Sequence, residues 1–180
     1  MKPGQKVLIN GAGGGVGTFG IQIAKSLGAE VTGVDCTSKL EKMGSIGADH
    51  VIDYTKEDFT NNEQLYHLIL DVVGYHSIFD YKRVLSPGGR YLMIGGPAAL
   101  ILQSMFLGPL ISITGKKMGI LAHQPNKDLY ILKKLFEAGT VVPVIDRCYT
   151  LPEVPDAFRY FGTGQVQGKV VITMQNSNEN

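Results

Sequence analysis

The sequence predicts an α/β fold: a Rossmann-like, doubly wound parallel sheet of six strands with helices on both faces. Three observations predict it. Short strand-like runs alternate with helical patterns, and Gly or Pro stands at the joints. The strand-like runs are apolar throughout, as strands buried on both faces of a parallel sheet must be. The first of them enters a glycine cluster, residues 11–17, that opens a helix.

Each element follows in order. Residues 6–10 (KVLIN) form the first strand. Residues 16–27 read as a helix, with Val16, Phe19, Ile23 and Leu27 at helical spacing and Gly28 as its stop. Residues 30–34 are the second strand. Residues 38–46 are the second helix, with Ser38 as its cap and Gly47 after its end. Residues 50–52 make a short third strand, and 58–64 a polar loop or short helix. Residues 68–73 (LILDVV) are the fourth strand. Residues 77–85 form a helix that Pro87, Gly88 and Gly89 close, and 90–94 are the fifth strand.

Residues 97–113 are nearly uncharged. They are shorter than the ~20 residues of a membrane span, and Gly108-Pro109 interrupts them. A buried helix or subunit contact is expected, with a membrane-facing role as the lesser alternative. Residues 118–122 are the sixth strand. Residues 128–138 form an amphipathic helix, with Leu129, Leu132, Leu135 and Phe136 on one face and Gly139 at its end. Beyond it, 141–145 is extended, 152–161 is a helix with proline in its first turn, and 168–174 (GKVVITM) is a strand. A disordered tail is expected over 175–180.

Composition bounds the function. The chain has 180 residues, 44% of them hydrophobic, with 17 Lys+Arg against 16 Asp+Glu. That supports a sizeable core and gives no basic surface for nucleic acid and no reason to invoke a membrane. Cys36 and Cys148 are too few for a disulfide scaffold or a four-thiolate zinc site, although one disulfide between them is formally open. The first residues carry charge but no long apolar run, so no signal peptide is expected and the chain reads as soluble and cytoplasmic.

The glycine cluster carries the chemistry. A pyrophosphate needs backbone N–H groups at close approach and a helix N-terminus aimed at its charge. Here the pattern is Ala12-x-Gly14-x-x-Gly17, between a strand and a helix, with Asp35 at the end of the second strand. A carboxylate there accepts both adenosine ribose hydroxyls and favours NAD. Thr37, Ser38 and Lys39 follow at once and suit a 2′-phosphate, which favours NADP. Asp35 read as a helix cap, and Lys39 as a solvated helix charge, are the plainer alternatives.

Together, KPGQKVLINGAGGGVGTFGIQIAK, LGAEVTGVD, IGADHVIDYTKEDF, LILDVVG, LSPGGRYLMIGG and GKVVIT resemble the cofactor-binding part of the medium-chain dehydrogenase/reductase superfamily, in its zinc-independent quinone oxidoreductase branch. The pieces run in family order along almost the whole chain. The resemblance implies that Gly14, Gly15, Val16 and Gly17 cradle the pyrophosphate, and that Lys39 and Tyr54 hold the adenosine end of NADPH. Asp35 departs from the NADPH pattern and resembles the acid of NAD-linked relatives. The balance leans slightly to NADP. Asp71, Val73 and Gly74 match the strand end beside ribose and nicotinamide; Ile94, Gly95 and Gly96 match the strand end that meets the carboxamide. Val73 and Ile94 are equally good core residues.

Family enzymes are about twice as long, with a catalytic domain mostly before the KPGQKVLI segment. The expected organisation is therefore a dinucleotide domain over 1–124 and, over 125–174, a segment returning to a mostly absent catalytic domain. No catalytic residue is assigned, and the chain alone is expected to bind cofactor without turnover. The parent is expected to pass hydride to a quinone, enone or similar carbonyl compound, without zinc, as a homodimer joined at the sixth-strand edge. Two other readings stay open. Gly11-x-x-x-Gly15-x-Gly17 with Tyr130-x-x-x-Lys134 fits short-chain dehydrogenases, and a non-enzymatic dinucleotide-binding sensor or interaction module would use the same fold.

Overall fold

The computed structural model describes residues 1–113, 115–121 and 128–174. Among them, β1 (Lys6–Asn10), α1 (Gly17–Ser26), β2 (Glu30–Asp35), α2 (Leu40–Ser45), β3 (His50–Asp53), β4 (Tyr66–Asp71), α3 (Ile78–Arg83), β5 (Leu85–Met93), α4 (Ala98–Ser112) and β6 (Lys117–Ile120) build one sheet with its helices. The strand order is β3-β2-β1-β4-β5-β6, and every pairing is parallel. The winding reverses between β1 and β4, and a crevice opens at the carboxyl ends of those strands.

The apolar strands have a two-sided reason. In β1, Leu8 points into one core with Ile69, Tyr81 and Tyr91, while Val7 and Ile9 point into the other with Ile21, Val31 and Met43. Alternation across a sheet covered on both faces demands apolar residues at every position. Each of these fully buried side chains contributes about 1.5–3 kcal/mol.

Three expectations need correction. Ser38 caps nothing: a 3-10 turn, Thr37–Lys39, precedes α2, and no side chain caps either element. The turn forms because Lys39 folds inward to Asp35 and the Thr37 hydroxyl donates to Asp53. Pro87, Gly88 and Gly89 do not end a helix before the fifth strand but sit inside β5. The pairing shifts from Tyr66–Leu85 to Leu68–Arg90, so these residues bulge out, with Gly88 at φ 74°. The chain also does not break at Gly108-Pro109. α4 runs through Pro109, while Ser112 Oγ donates to the Gly108 carbonyl at 2.8 Å. Gly108 lets α4 lie on β6, since a Cβ there would stand 2.9 Å from the Met118 carbonyl oxygen.

The rest of the chain makes a smaller unit. It holds α5 (Leu129–Glu137), β7 (Ile145–Thr150), α6 (Val154–Gly162) and β8 (Lys169–Thr173), with β7 and β8 paired in parallel. β7 starts where the extended 141–145 segment was expected to end. The expected domain boundary at 124/125, the end of the sixth strand at Ala122, and the 175–180 tail lie outside the described residues. Gln22 ties this unit to the sheet, donating to the Val142 carbonyl at 3.0 Å and accepting the Val142 N–H at 2.8 Å. Cys36 and Cys148 are free thiols, so the open disulfide does not form. No helix among the described residues is long and apolar enough to cross a membrane.

Candidate dinucleotide site

β1 delivers the chain into the glycine turn. Gly11, at φ 82°, and Ala12 both donate to the Val34 carbonyl, at 3.0 and 3.1 Å. A Cβ on Gly17 would collide with the Gly11 and Ala12 backbone, so only glycine lets α1 start this close to β1. Gly14 is different: a Cβ there meets nothing nearer than 3.6 Å, and the residue lines the crevice. The N–H groups of Gly15, Val16 and Gly17 have no acceptor among the described residues, and no side chain caps α1. Thr18 Oγ1, one residue on, is buried with no hydrogen-bond partner. Unpaired donors at a helix N-terminus in a glycine cradle are what a pyrophosphate would use. The residues present therefore fit the dinucleotide.

Asp35 and Lys39 belong together. Asp35 Oδ2 accepts the Gly13 N–H at 2.9 Å, Oδ1 accepts the Cys36 N–H at 2.9 Å, and Lys39 Nζ lies 3.2 Å from Oδ1. Both residues are buried, at 6% and 7% exposure, so the lysine is not a solvated helix charge. Nor does Asp35 cap the following turn as a helix cap would. Lys39 also lies over Gly13, where a Cβ would come within 2.7 Å of its Cβ and Cδ. Behind the pair, Asp53 braces the turn. Hydrogen bonds from Thr37 and then Thr55 hold its carboxyl far below the usual range, against the opposing effect of desolvation.

A cavity of about 420 Å³ opens here, walled by Gly11, Gly14, Asp35, Lys39, Tyr54 and Val73 among others. Gly15, Val16, Gly17, Ser38, Gly74, Ile94, Gly95 and Gly96 do not line it. Gly74 and Gly96 instead press their loops together, since a Cβ on Gly74 would stand 3.0 Å from Gly96 Cα. Ile94 N–H donates to the Asp71 carbonyl at 2.7 Å.

Sequence reasoning missed three contributors. Tyr75, 78% exposed, faces Tyr54, 51% exposed, with ring centroids 6.3 Å apart. Its signal was an aromatic just past a strand end, beside Gly74. Lys169, in GKVVIT, reaches the glycine turn from β8: a Cβ on Gly15 would meet its Nζ at 3.1 Å. Thr163, Gly164 and Gln165 close the cavity from the smaller unit, which nothing local in the sequence announces.

Other candidates stay apart. Lys134 Nζ lies 4.4 Å over the Tyr130 ring on the exposed face of α5, and neither residue lines the cavity. His50 pairs with Glu30, His67 accepts the Lys6 N–H, and His76 faces Asp58; His123 lies outside the described residues. Among the described residues no group of three or more His, Cys, Asp or Glu is placed to hold a metal ion, so these residues do not fit a zinc site.

A family model described as zinc-binding dehydrogenase matches residues 46–172. The mitochondrial NAD(P)H oxidoreductase RTN4IP1 of Mus musculus is 32% identical over 95% of this chain and 48% of its own length. The 2-methylene-furan-3-one reductase of Solanum lycopersicum is 32% identical over 94% of this chain and 40% of its own. The solved quinone oxidoreductase of Coxiella burnetii superposes with a TM-score of 0.80 at 26% identity, covering 97% of this chain and 54% of that one. The chain spans about half the length of the curated relatives it matches.

Proposed function

This chain belongs to the zinc-binding dehydrogenase family, within the medium-chain dehydrogenase/reductase superfamily, and from that premise we propose that it is the nicotinamide-dinucleotide-binding part of an oxidoreductase. The observation that carries the reading is the glycine turn, where the N–H groups of Gly15, Val16 and Gly17 at the start of α1 are unpaired and the adjoining Gly11 and Gly14 line the cavity that Asp35 also walls. When bound, the nicotinamide supplies or accepts a hydride. The protein's part is to hold and orient it.

The first turn of α1 and Lys169 would take the pyrophosphate. Cys36, Tyr54 and Tyr75 would wall the adenosine end, and Val73 would lie between it and the nicotinamide. Ile94, Gly95 and Gly96 would lie at the nicotinamide end. We assign NAD(H) over NADP(H), reversing the lean from the sequence. Lys39 is already matched by Asp35, and a 2′-phosphate dianion would have to enter beside a buried carboxylate. Quinones, enones or similar carbonyl compounds are the proposed hydride partners, supported by the reductases among the relatives. No zinc takes part in this reading. Residues 1–124 would form the dinucleotide domain, and 125–174 a segment packing on a catalytic domain. The β6 edge with the apolar side of α4 would seat a second copy of the chain. Free Cys36 and Cys148 fit a reducing compartment such as the cytoplasm.

Calorimetric titration with NADH and with NADPH tests this. Micromolar NADH binding with weaker NADPH binding is expected. Binding of neither at millimolar concentration to a folded chain overturns the reading, and tighter NADPH binding overturns the assignment of Asp35.

A further inference from the structure

At the carboxyl end of β4 lies a carboxylate for which hydride transfer has no direct use. Asp71 is completely buried. No lysine or arginine pairs with it among the described residues. A buried charge with no counter-ion must be matched by hydrogen-bond donors, and three are supplied. Asn10 Nδ2 and the Gly74 N–H both donate to Oδ1, each at 2.9 Å, and the Tyr91 hydroxyl donates to Oδ2 at 2.8 Å. Asn10 Nδ2 also reaches the Tyr81 hydroxyl, at 3.3 Å. Burial first, and then the Asp71 charge, push Tyr81 and Tyr91 far above the usual phenol range, so both stay neutral.

Where these donors sit is informative. Asn10 is the last residue of β1, directly before the glycine turn. Gly74, at φ 66°, lies in the loop after β4. The Asp71 carbonyl takes the N–H groups of Ile94 and Gly95, in the loop after β5, at 2.7 and 3.4 Å. One residue thus ties two loops to the end of β1 at the switch point of the sheet. The packing leaves little slack: a Cβ on Gly95 would stand 2.6 Å from the Val72 carbonyl oxygen.

We propose that Asp71 is a positioning residue, whose side chain and carbonyl fix the 72–74 and 94–96 loops against the end of β1 and so set the geometry of the nicotinamide half of the site. This rests on the dinucleotide reading. The adenosine half is braced by a separate set of bonds, those of Asp35, Lys39 and Asp53. Loss of Asp71 should therefore act on one end of the cofactor and spare the other.

ADP-ribose, which has the adenosine end and the pyrophosphate but no nicotinamide, separates the two ends. The full chain is titrated with NADH and with ADP-ribose as wild type, Asp71→Ala and Asp71→Asn. Wild type should bind NADH more tightly than ADP-ribose. Asp71→Ala takes the carboxylate acceptor from the Gly74 N–H and the Tyr91 hydroxyl and leaves the Asn10 amide only its longer contact to Tyr81. It should weaken NADH about tenfold or more and leave ADP-ribose within about twofold. Asp71→Asn should restore NADH binding: its amide oxygen keeps Asn10 and Gly74, and the Tyr91 hydroxyl turns to accept from its NH2. If the alanine variant does not fold, Tyr91→Phe removes one donor and should show the same split at about threefold. Equal weakening of both ligands, or of neither, overturns the proposal while the dinucleotide reading stands. So does a wild type that binds both ligands equally. A wild type that binds neither removes the reading and the proposal with it.

Discussion

The sheet and the smaller unit are built on different terms. β1 buries Val7, Leu8 and Ile9 almost completely, and β4 and β5 do the same with Ile69, Tyr91 and Met93. In the smaller unit α5 buries none of its residues, and α6 buries only Ala157. Leu129, Tyr130, Phe158 and Phe161 are more than half exposed. Both regions have helices of regular apolar spacing, yet among the described residues only the sheet and its helices enclose a hydrophobic core cluster. A hydrophobic stripe shows that a helix wants a partner, not that the partner is present. The smaller unit still reaches the site, through Lys169 and the 163–165 turn.

Substitutions sharpen this contrast. Leu8→Ala should cost about 3 kcal/mol of unfolding free energy, while Phe158→Ala should stay within about 0.5 kcal/mol, both read by urea denaturation. Similar losses at the two positions would mean that α6 has a core of its own. Gly17→Ala should cost about 2 kcal/mol, because its Cβ has rigid backbone in front of it, and should abolish measurable NADH binding. Gly14→Ala has open space and should leave the stability within about 0.5 kcal/mol.

Asp35→Ser should free Lys39 and swing the NADPH-to-NADH preference about tenfold toward NADPH by calorimetry. An unchanged ratio would break the assignment of that pair. The smallest effect is a pH dependence at Asp53, whose folded pKa is depressed by Thr37 and Thr55. Its stabilisation is complete above the unfolded carboxyl pKa of ~3.9 and fades as pH falls through the lower folded value. The melting temperature of wild type should therefore drop more steeply below about pH 4 than that of Asp53→Asn.

What the sequence made legible was local. β1, the glycine turn, α1 and β2 are contiguous, and each has its own periodicity or turn chemistry, so even Asp35 is found at the strand end as expected. The β5 bulge was hidden because Pro87, Gly88 and Gly89 read as a break, whereas pairing with β4 carries the strand past them. The inward turn of Lys39 depends on a carboxylate that sequence spacing places nearby but does not orient. Asp71 was visible as a strand-end residue, but its role was not. Its partners Asn10 and Tyr91 lie 61 and 20 positions away and meet it only through the strand order. Lys169 was hidden in the same way, as one charge at the head of a strand.

The central claim is that the first turn of α1 receives the cofactor's pyrophosphate. The most direct measurement is the backbone amide NMR of Gly15, Val16 and Gly17, with and without saturating NADH. These three amides should shift downfield and exchange more slowly with solvent when the nucleotide is present, while the amides of α6 stay unchanged. Nucleotide binding that leaves these three amides unmoved would contradict the claim and place the ligand elsewhere on the molecule.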